Sequence, residues 1–288
     1  MVVKKEYEYI KFEQREEAIA IITLNRLQAE NAFTYAMMEE FTEVCENLRE
    51  EISCKVLIVR AEGPHFSSGG DLDEEGGWVK ELRQDASKLM WDELRTQQWS
   101  PYRQALRDLW ESPVISIAQV QGFAIEIGMV FALMCDIVIA ADDARFFWRP
   151  VGGGGMLWHL WPWTIGLRRT KEILFTGEWV TGKEAAQMNM INRSVPAESL
   201  EEEVNRWAQK IATKPREFLW ADKVAVNKAY EMMGLYNAFD NGVLAHVLSH
   251  ESEPSQALDK TVREGTTKDM SDALDRRASI FEREILGR

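Results

Sequence analysis

The sequence predicts an α/β protein with a helical C-terminal third, and three patterns carry that reading. Short β-branched runs at 55–60, 114–120 and 136–140 each lead into a turn of small residues. The second of these turns opens into an apolar, helix-like segment from Ile125 to Met134. Beyond Gly177 the apolar spacing is helical almost throughout, with no strand run longer than 191–195. Strand, turn and helix recurring in this way imply βα units with parallel pairing.

Along the chain, Tyr7, Tyr9 and Phe12 and then residues 18–24 alternate as strands do, with 15–17 as the turn of a hairpin. From Thr34 the period becomes helical. Met37, Met38, Phe41, Cys45, Leu48 and Ile52 share one face, Thr34 is a fitting N-cap, and the helix is expected to reach about Glu51. A strand at 55–60 ends at Gly63 and Pro64 and gives way to the loop Ser67-Ser68-Gly69-Gly70-Asp71. The stretch 74–111 is polar, charged and tryptophan-bearing, and reads either as a wall over a site or as a solvated helical insertion. Helical patterns follow at 183–190, 200–212 and 218–233, with a last stretch to Phe281. The expected division is a core over 1–205 and a helical region over 206–288 whose uncovered apolar faces serve subunit association.

The 45% hydrophobic content suits a globular chain, and 34 basic against 47 acidic residues give a net charge of -13. That balance disfavours nucleic acid and anionic membranes as partners. Cys45, Cys54 and Cys135 show no metal-ligand spacing, so no metal is expected and a reducing, cytoplasmic setting is. No run approaches the ~20 apolar residues needed to span a bilayer, and residues 1–8 hold no leader-like apolar stretch.

The chemistry is expected at two glycine turns that follow buried strands. Gly69 and Gly70 allow a tight turn that would aim the Ser68 amide into a cavity, and Gly122 precedes a helix whose first free amides lie near Glu126 and Ile127. Two such donors converging on one point stabilise the negative charge that develops on a carbonyl oxygen. Glycine turns after strands are common, so the spacing alone is a weak signal.

The run from His65 to Leu72 resembles the first oxyanion motif of the crotonase superfamily, and Gln121-Gly122-Phe123-Ala124 through Cys135-Asp136 resembles its second. Asn25-Arg26 with Asn31-Ala32, Phe175-Thr176-Gly177 with Val195-Pro196, and 273–281 are similar to further segments of that family, in the same order. The resemblance implies a spiral of repeated β-β-α turns, a C-terminal trimerisation region giving a trimer or hexamer, and oxyanion amides at Ser68 and Ile127. It also implies a small carbonyl substrate, most simply an acyl-CoA. No prosthetic group is implied, and coenzyme A enters only as part of the substrate.

The departures from that pattern narrow the chemistry. The two glutamates of the family's hydratases fall on Val130 and Pro150, neither of which can move a proton. Glu30 occupies a place that is often basic, near the nucleotide phosphates, so Arg26, Arg276 and Arg277 are the candidates for binding coenzyme A. Trp161-Pro162 and 244–246 are similar to the branch that contains 6-oxocamphor hydrolase, yet that branch's catalytic positions fall on Met38, Val151 and Val247. The acid-base candidates left are Glu126, which either reaches substrate or caps its helix, and His159, which either titrates near neutrality if exposed or packs against tryptophans. Gly69, Gly70, Trp148 and Trp158 are expected to line the substrate, and Arg149 either orients an anionic substrate or forms a surface ion pair.

Three functions fit these residues. The first is an atypical lyase, hydratase or isomerase acting on an acyl-CoA. The second is a hydrolase that needs no coenzyme A and cuts a carbon-carbon bond in a cyclic β-diketone. The third is a catalytically silent binding protein that keeps the fold.

Overall fold

The computed structural model describes residues 3–15, 18–71, 100–148 and 158–250. Strands β1 (Val3–Glu6), β2 (Ile10–Gln14) and β3 (Ile19–Leu24) form an antiparallel meander, so the expected hairpin gains a third strand. From β3 the pairing turns parallel through β4 (Val56–Ala61), β5 (Ile115–Val120), β7 (Ile137–Ala141) and β10 (Arg193–Val195). The sheet order is β1-β2-β3-β4-β5-β7-β10. Every residue of β3 is buried, which is why it reads as a nearly unbroken apolar run.

Helix α1 (Tyr35–Glu50) starts where the spacing placed it, with the Thr34 hydroxyl accepting the Met37 N–H at 3.1 Å. Its buried face holds Met37, Met38, Phe41, Val44, Cys45 and Leu48. Ile52, expected on that face, is 75% exposed because Glu51 is already extended and ends the helix. Helix α2 (Pro101–Glu111) packs against α1 and closes the stretch read as polar and helical. Most of that stretch, including Trp78, Trp91, Trp99 and the acids Glu74, Glu75, Asp85 and Asp92, lies outside the described residues.

A second sheet, of β6 (Phe123–Ile125), β8 (Arg145–Phe147) and β9 (Val180–Thr181), is an addition to the expected elements. Strands of two or three residues are too short to show an alternation. β6 also divides the segment expected to be one helix, and α3 (Ile127–Met134) begins only after Glu126. Helices α4 (Trp161–Thr164), α5 (Gly166–Thr176) and α6 (Gly182–Gln187) complete the core.

The C-terminal helices are α7 (Leu200–Ala212), α8 (Arg216–Met232) and α9 (Leu235–His250). The division expected at 205/206 falls inside α7, whose Leu200, Val204 and Ala208 belong to the main hydrophobic core. Helix α8 is fastened by one buried cation. Lys223 Nζ donates to Asp136 Oδ2 at 2.8 Å and to the carbonyls of Leu109 and Val114 at 2.8 and 3.3 Å. Asp136 in turn accepts from the Ser116 N–H and hydroxyl, each at 2.8 Å. Removing one partner of a buried pair leaves an uncompensated charge. Lys223→Met should therefore lower unfolding free energy by about 3 kcal/mol in urea titrations. Adding Asp136→Asn should recover part of that loss.

Candidate active site

The two glycine turns lie side by side because the chain segments that carry them pair as parallel strands. Ser67 bridges Ala124. The Ser67 N–H donates to Phe123 O at 3.0 Å, and the Ile125 N–H donates to Ser67 O at 3.1 Å. One residue earlier, the Phe66 N–H donates to Gln121 O at 2.9 Å.

Ser67 is also anchored from beneath. Its hydroxyl donates to Asn31 O at 2.8 Å and accepts the Gly69 N–H at 3.2 Å. The buried Asn31 amide donates to the carbonyls of Glu62 and His65 at 2.9 and 3.0 Å, and its Oδ1 accepts the Arg26 N–H at 2.9 Å. Gly69 has φ +102, and a Cβ there would come within 3.2 Å of the Ile125 carbonyl, so glycine suits the position.

This bonding corrects one expectation. The Ser68 N–H donates to Glu30 O at 3.0 Å and its hydroxyl donates to Ala29 O at 3.1 Å, so Ser68 has no amide to offer a ligand. The Gly69 carbonyl and the Asp71 N–H are paired with Phe33 at 2.7 and 2.9 Å. The Gly70 N–H, between them, has no partner among the described residues. Ser67 pairs with Ala124, and three residues on from each stand Gly70 and Ile127. That register is not visible in the linear sequence, so spacing alone does not separate Gly70 from Ser68.

Ile127 is the first residue of α3, where backbone N–H groups have no intrahelical acceptor. Gly128 sits against the first turn, and a Cβ there would lie 2.6 Å from both Ser67 Cβ and Oγ. The close approach of the two turns therefore depends on the absence of a side chain at 128. Gly128→Ala should lower stability by about 1–3 kcal/mol, readable as a fall in Tm.

Glu126 joins β6 to α3 at φ 47, ψ -119, a backbone region costly for any residue with a Cβ. Its N–H donates to Phe147 O at 2.9 Å, and its carbonyl accepts the Val130 N–H at 2.9 Å. The side chain makes no N-cap hydrogen bond, so the capping alternative is not the one adopted. A Cβ on Gly69 would lie 3.6 Å from Glu126 Cβ, so the glutamate overlies the first turn. Glu126→Gly should raise unfolding free energy by about 1 kcal/mol through relief of the backbone, measured by chemical denaturation.

Trp148 directly follows Phe147, the residue whose carbonyl receives the Glu126 amide. It meets His159 edge-on, with ring centroids 4.2 Å apart at 82°, and His159 stacks on Trp161 at 4.2 Å and 19°. His159 is 1% exposed, and neither of its ring nitrogens has a hydrogen-bond partner. Burial alone pushes its pKa down to about 3. The imidazole is thus neutral at pH 7 and a feeble base, and the titration near neutrality expected of an exposed histidine does not apply. Each buried polar atom left unpaired costs about 1–3 kcal/mol.

The same burial makes a pH-dependent prediction. Above the ordinary histidine value of 6.5 the group is neutral in both the folded and unfolded chains. Below it the unfolded chain takes up a proton that the folded chain refuses until the pH nears about 3. This contribution to stability is full above 6.5 and is lost on acidification at about 1.4 kcal/mol per pH unit. His159→Phe should flatten the stability profile between pH 4 and 6.5 by about that slope, with chemical denaturation at each pH as the check.

Among the other candidates, Arg26 is engaged. Its guanidinium pairs with Asp71 Oδ2 at 2.5 Å and donates to Ala32 O at 3.2 Å, which braces the first turn. Arg149, Arg276 and Arg277 lie outside the described residues, as does Pro150. Val130 is buried in α3. Trp158 is buried at φ +54 and lines a small space with Met134, Tyr236 and Phe239. The three cysteines are buried, and burial pushes the Cys54 thiol up to about 11 and the Cys135 thiol up to about 12, so neither supplies a thiolate. Among the described residues no group of three metal-ligating side chains occurs, and no helix is long and apolar enough to cross a membrane.

Comparison with known proteins shows the family and the fold. The profile of the family described as Enoyl-CoA hydratase/isomerase matches residues 14–264. EchA13 of Mycobacterium tuberculosis, which carries an enoyl-CoA hydratase name, is 30% identical over 264 residues, covering 85% of this chain and 82% of its own. The crystal structure of an enoyl-CoA hydratase/isomerase from Xanthobacter autotrophicus Py2 superposes with a TM-score of 0.79 at 28% identity, covering 96% of this chain and 99% of that one. An enoyl-CoA hydratase structure from Mycobacterium smegmatis, at 22% identity, matches in fold with a TM-score of 0.84 over 97% of this chain and 96% of that one.

Proposed function

Because the chain belongs to the enoyl-CoA hydratase/isomerase family, we propose that it is an enzyme that holds the thioester carbonyl of an acyl-CoA between the Gly70 and Ile127 amides and stabilises the enolate formed from it. The observation that carries this reading is the pairing of Ser67 with Ala124, three residues beyond which, on each segment, stands an N–H with no partner among the described residues. Donors fixed before the reaction and removed from water stabilise a developing oxyanion far more than solvent does.

The proton must move by an unusual route. At the position of one family glutamate stands Val130, buried in the core. Glu126 is the carboxylate that overlies the first turn, and its strained backbone is kept although glycine would adopt it more cheaply. In this reading Glu126 takes or returns the proton at the carbon next to the carbonyl. His159 cannot share that role, since a base with a pKa of about 3 accepts a carbon-bound proton poorly. The exposed Phe218, Trp220, Val226, Met232 and Met233 of α8 and the residue after it support association of subunits through the C-terminal region.

The test is exchange of the C2 protons of butyryl-CoA in deuterated water, followed by mass spectrometry. The protein should catalyse exchange, and Glu126→Gln should slow it by about 100-fold or more without loss of fold. Absence of exchange, together with no rise in Tm at millimolar butyryl-CoA, would remove the acyl-CoA reading. The Arg26–Asp71 brace and the acid Glu30 near the expected nucleotide end keep the second reading, a hydrolase of a cyclic β-diketone, as the one such a result would favour.

A further inference from the structure

His65 holds Phe123 in two ways. Its Nδ1 accepts the Phe123 N–H at 3.2 Å, and its ring stacks on the Phe123 ring with centroids 4.2 Å apart at 18°. Phe123 is the first residue of β6, the strand that leads through Ile125 to Glu126 and Ile127. The Phe123 carbonyl in turn receives the Ser67 N–H. Gly122 lets the two segments come this close: with φ +57, a Cβ on it would stand 2.1 Å from the Pro64 carbonyl oxygen and 2.4 Å from His65 Nδ1. From below, the His65 carbonyl accepts the Asn31 amide at 3.0 Å, so the residue is tied to the same anchor as Ser67. Beyond Phe123 the ring contacts continue to Trp179, at 5.5 Å and 40°, and from Trp179 to Phe147, stacked at 4.4 Å and 25°. Phe147 is the residue whose carbonyl receives the Glu126 N–H. A row of rings thus runs from the first turn to the strand that sets Glu126.

We infer that His65 is a positioning residue of the proposed carbonyl site: its neutral imidazole latches β6 to the first turn and so fixes where the Ile127 amide and Glu126 stand. An imidazole nitrogen that accepts an N–H carries no proton, so the single ring proton of His65 is on Nε2. Uptake of a second proton would set donor against donor at Phe123, and a backbone N–H would lose its acceptor. Phe123, Gly122, Pro64 and the Asn31 amide, which surround the residue, are uncharged. Burial holds the His65 pKa below the ordinary histidine value of 6.5, and the charge of Glu30, the titratable neighbour that acts on the ring among the described residues, works the other way. The latch is therefore closed at neutral pH and opens on acidification.

This inference rests on the carbonyl site proposed above, and two readouts separate them. Gly122-Phe123 is the only Gly-Phe step in the sequence, so labelling the glycine carbonyl carbon and the phenylalanine nitrogen isolates one NMR amide signal, that of Phe123. On the full chain this amide proton should move upfield between about pH 8 and about pH 4, as its hydrogen bond is lost. In His65→Asn, whose side-chain carbonyl accepts but takes no charge, it should stay in place. In His65→Phe, which keeps the stack and loses the acceptor, it should lie upfield at every pH. The second readout is the C2 exchange of butyryl-CoA. His65→Phe should slow it about tenfold at neutral pH. His65→Asn should restore it to within about threefold and remove the part of its acid decline that follows the Phe123 amide. A Phe123 amide indifferent to both pH and His65→Phe overturns the inference, as does an exchange rate that His65→Phe leaves unchanged or that His65→Asn fails to restore. Absence of exchange in all three proteins, with the amide moving as expected, overturns the acyl-CoA reading instead.

Discussion

The candidate site depends on two backbone hydrogen bonds that lace Ser67 between Phe123 and Ile125. They fix the register of one loop on another, and the register decides which amides are used inside the protein and which are left over. Asn31 and the Ser67 hydroxyl hold the loop from below, so its shape is set before any ligand arrives. Donors held in this way need no reorganisation when charge develops, which is the source of their catalytic value.

Around this rigid centre several local costs gather. Glu126 occupies a backbone region better suited to glycine, Trp158 has a positive φ, and His159 is buried without a hydrogen bond. Each would be removed by an ordinary substitution, to glycine or to phenylalanine. The surrounding core, with β3, β4 and β5 fully or nearly fully buried, offsets them. Other non-glycine residues with positive φ occur as well, Ala18, Glu30, Asn31 and Asn189 among them, but Glu126 differs in its ψ of -119, which takes it outside the left-handed helical region.

Where the family resemblance places one glutamate of the hydratases, this chain has the buried Val130. Val130 adds to an already apolar α3, and Trp148, His159 and Trp161 pack their rings together in the core. In the proposed reading the oxyanion is held by main-chain N–H groups, which side-chain substitution leaves in place.

The linear sequence determined the α/β class, the hairpin, α1 with its Thr34 cap, the parallel central strands and the helical C-terminal region. Each follows from apolar periodicity or a local capping rule over a window of six or more residues. The ordered motifs of the two turns also made the family legible. The three-stranded sheet was not legible, because its strands are too short to carry a period. Nor was the choice of Gly70 over Ser68, since it depends on Ser67 facing Ala124 across more than fifty residues of chain. The Arg26–Asp71 ion pair and the enclosure of His159 by Trp148 and Trp161 are likewise tertiary facts that spacing does not carry. Composition and spacing state which groups a chain possesses. Only long-range pairing and burial decide which of them remain unpaired, and unpaired groups are the ones that do chemistry.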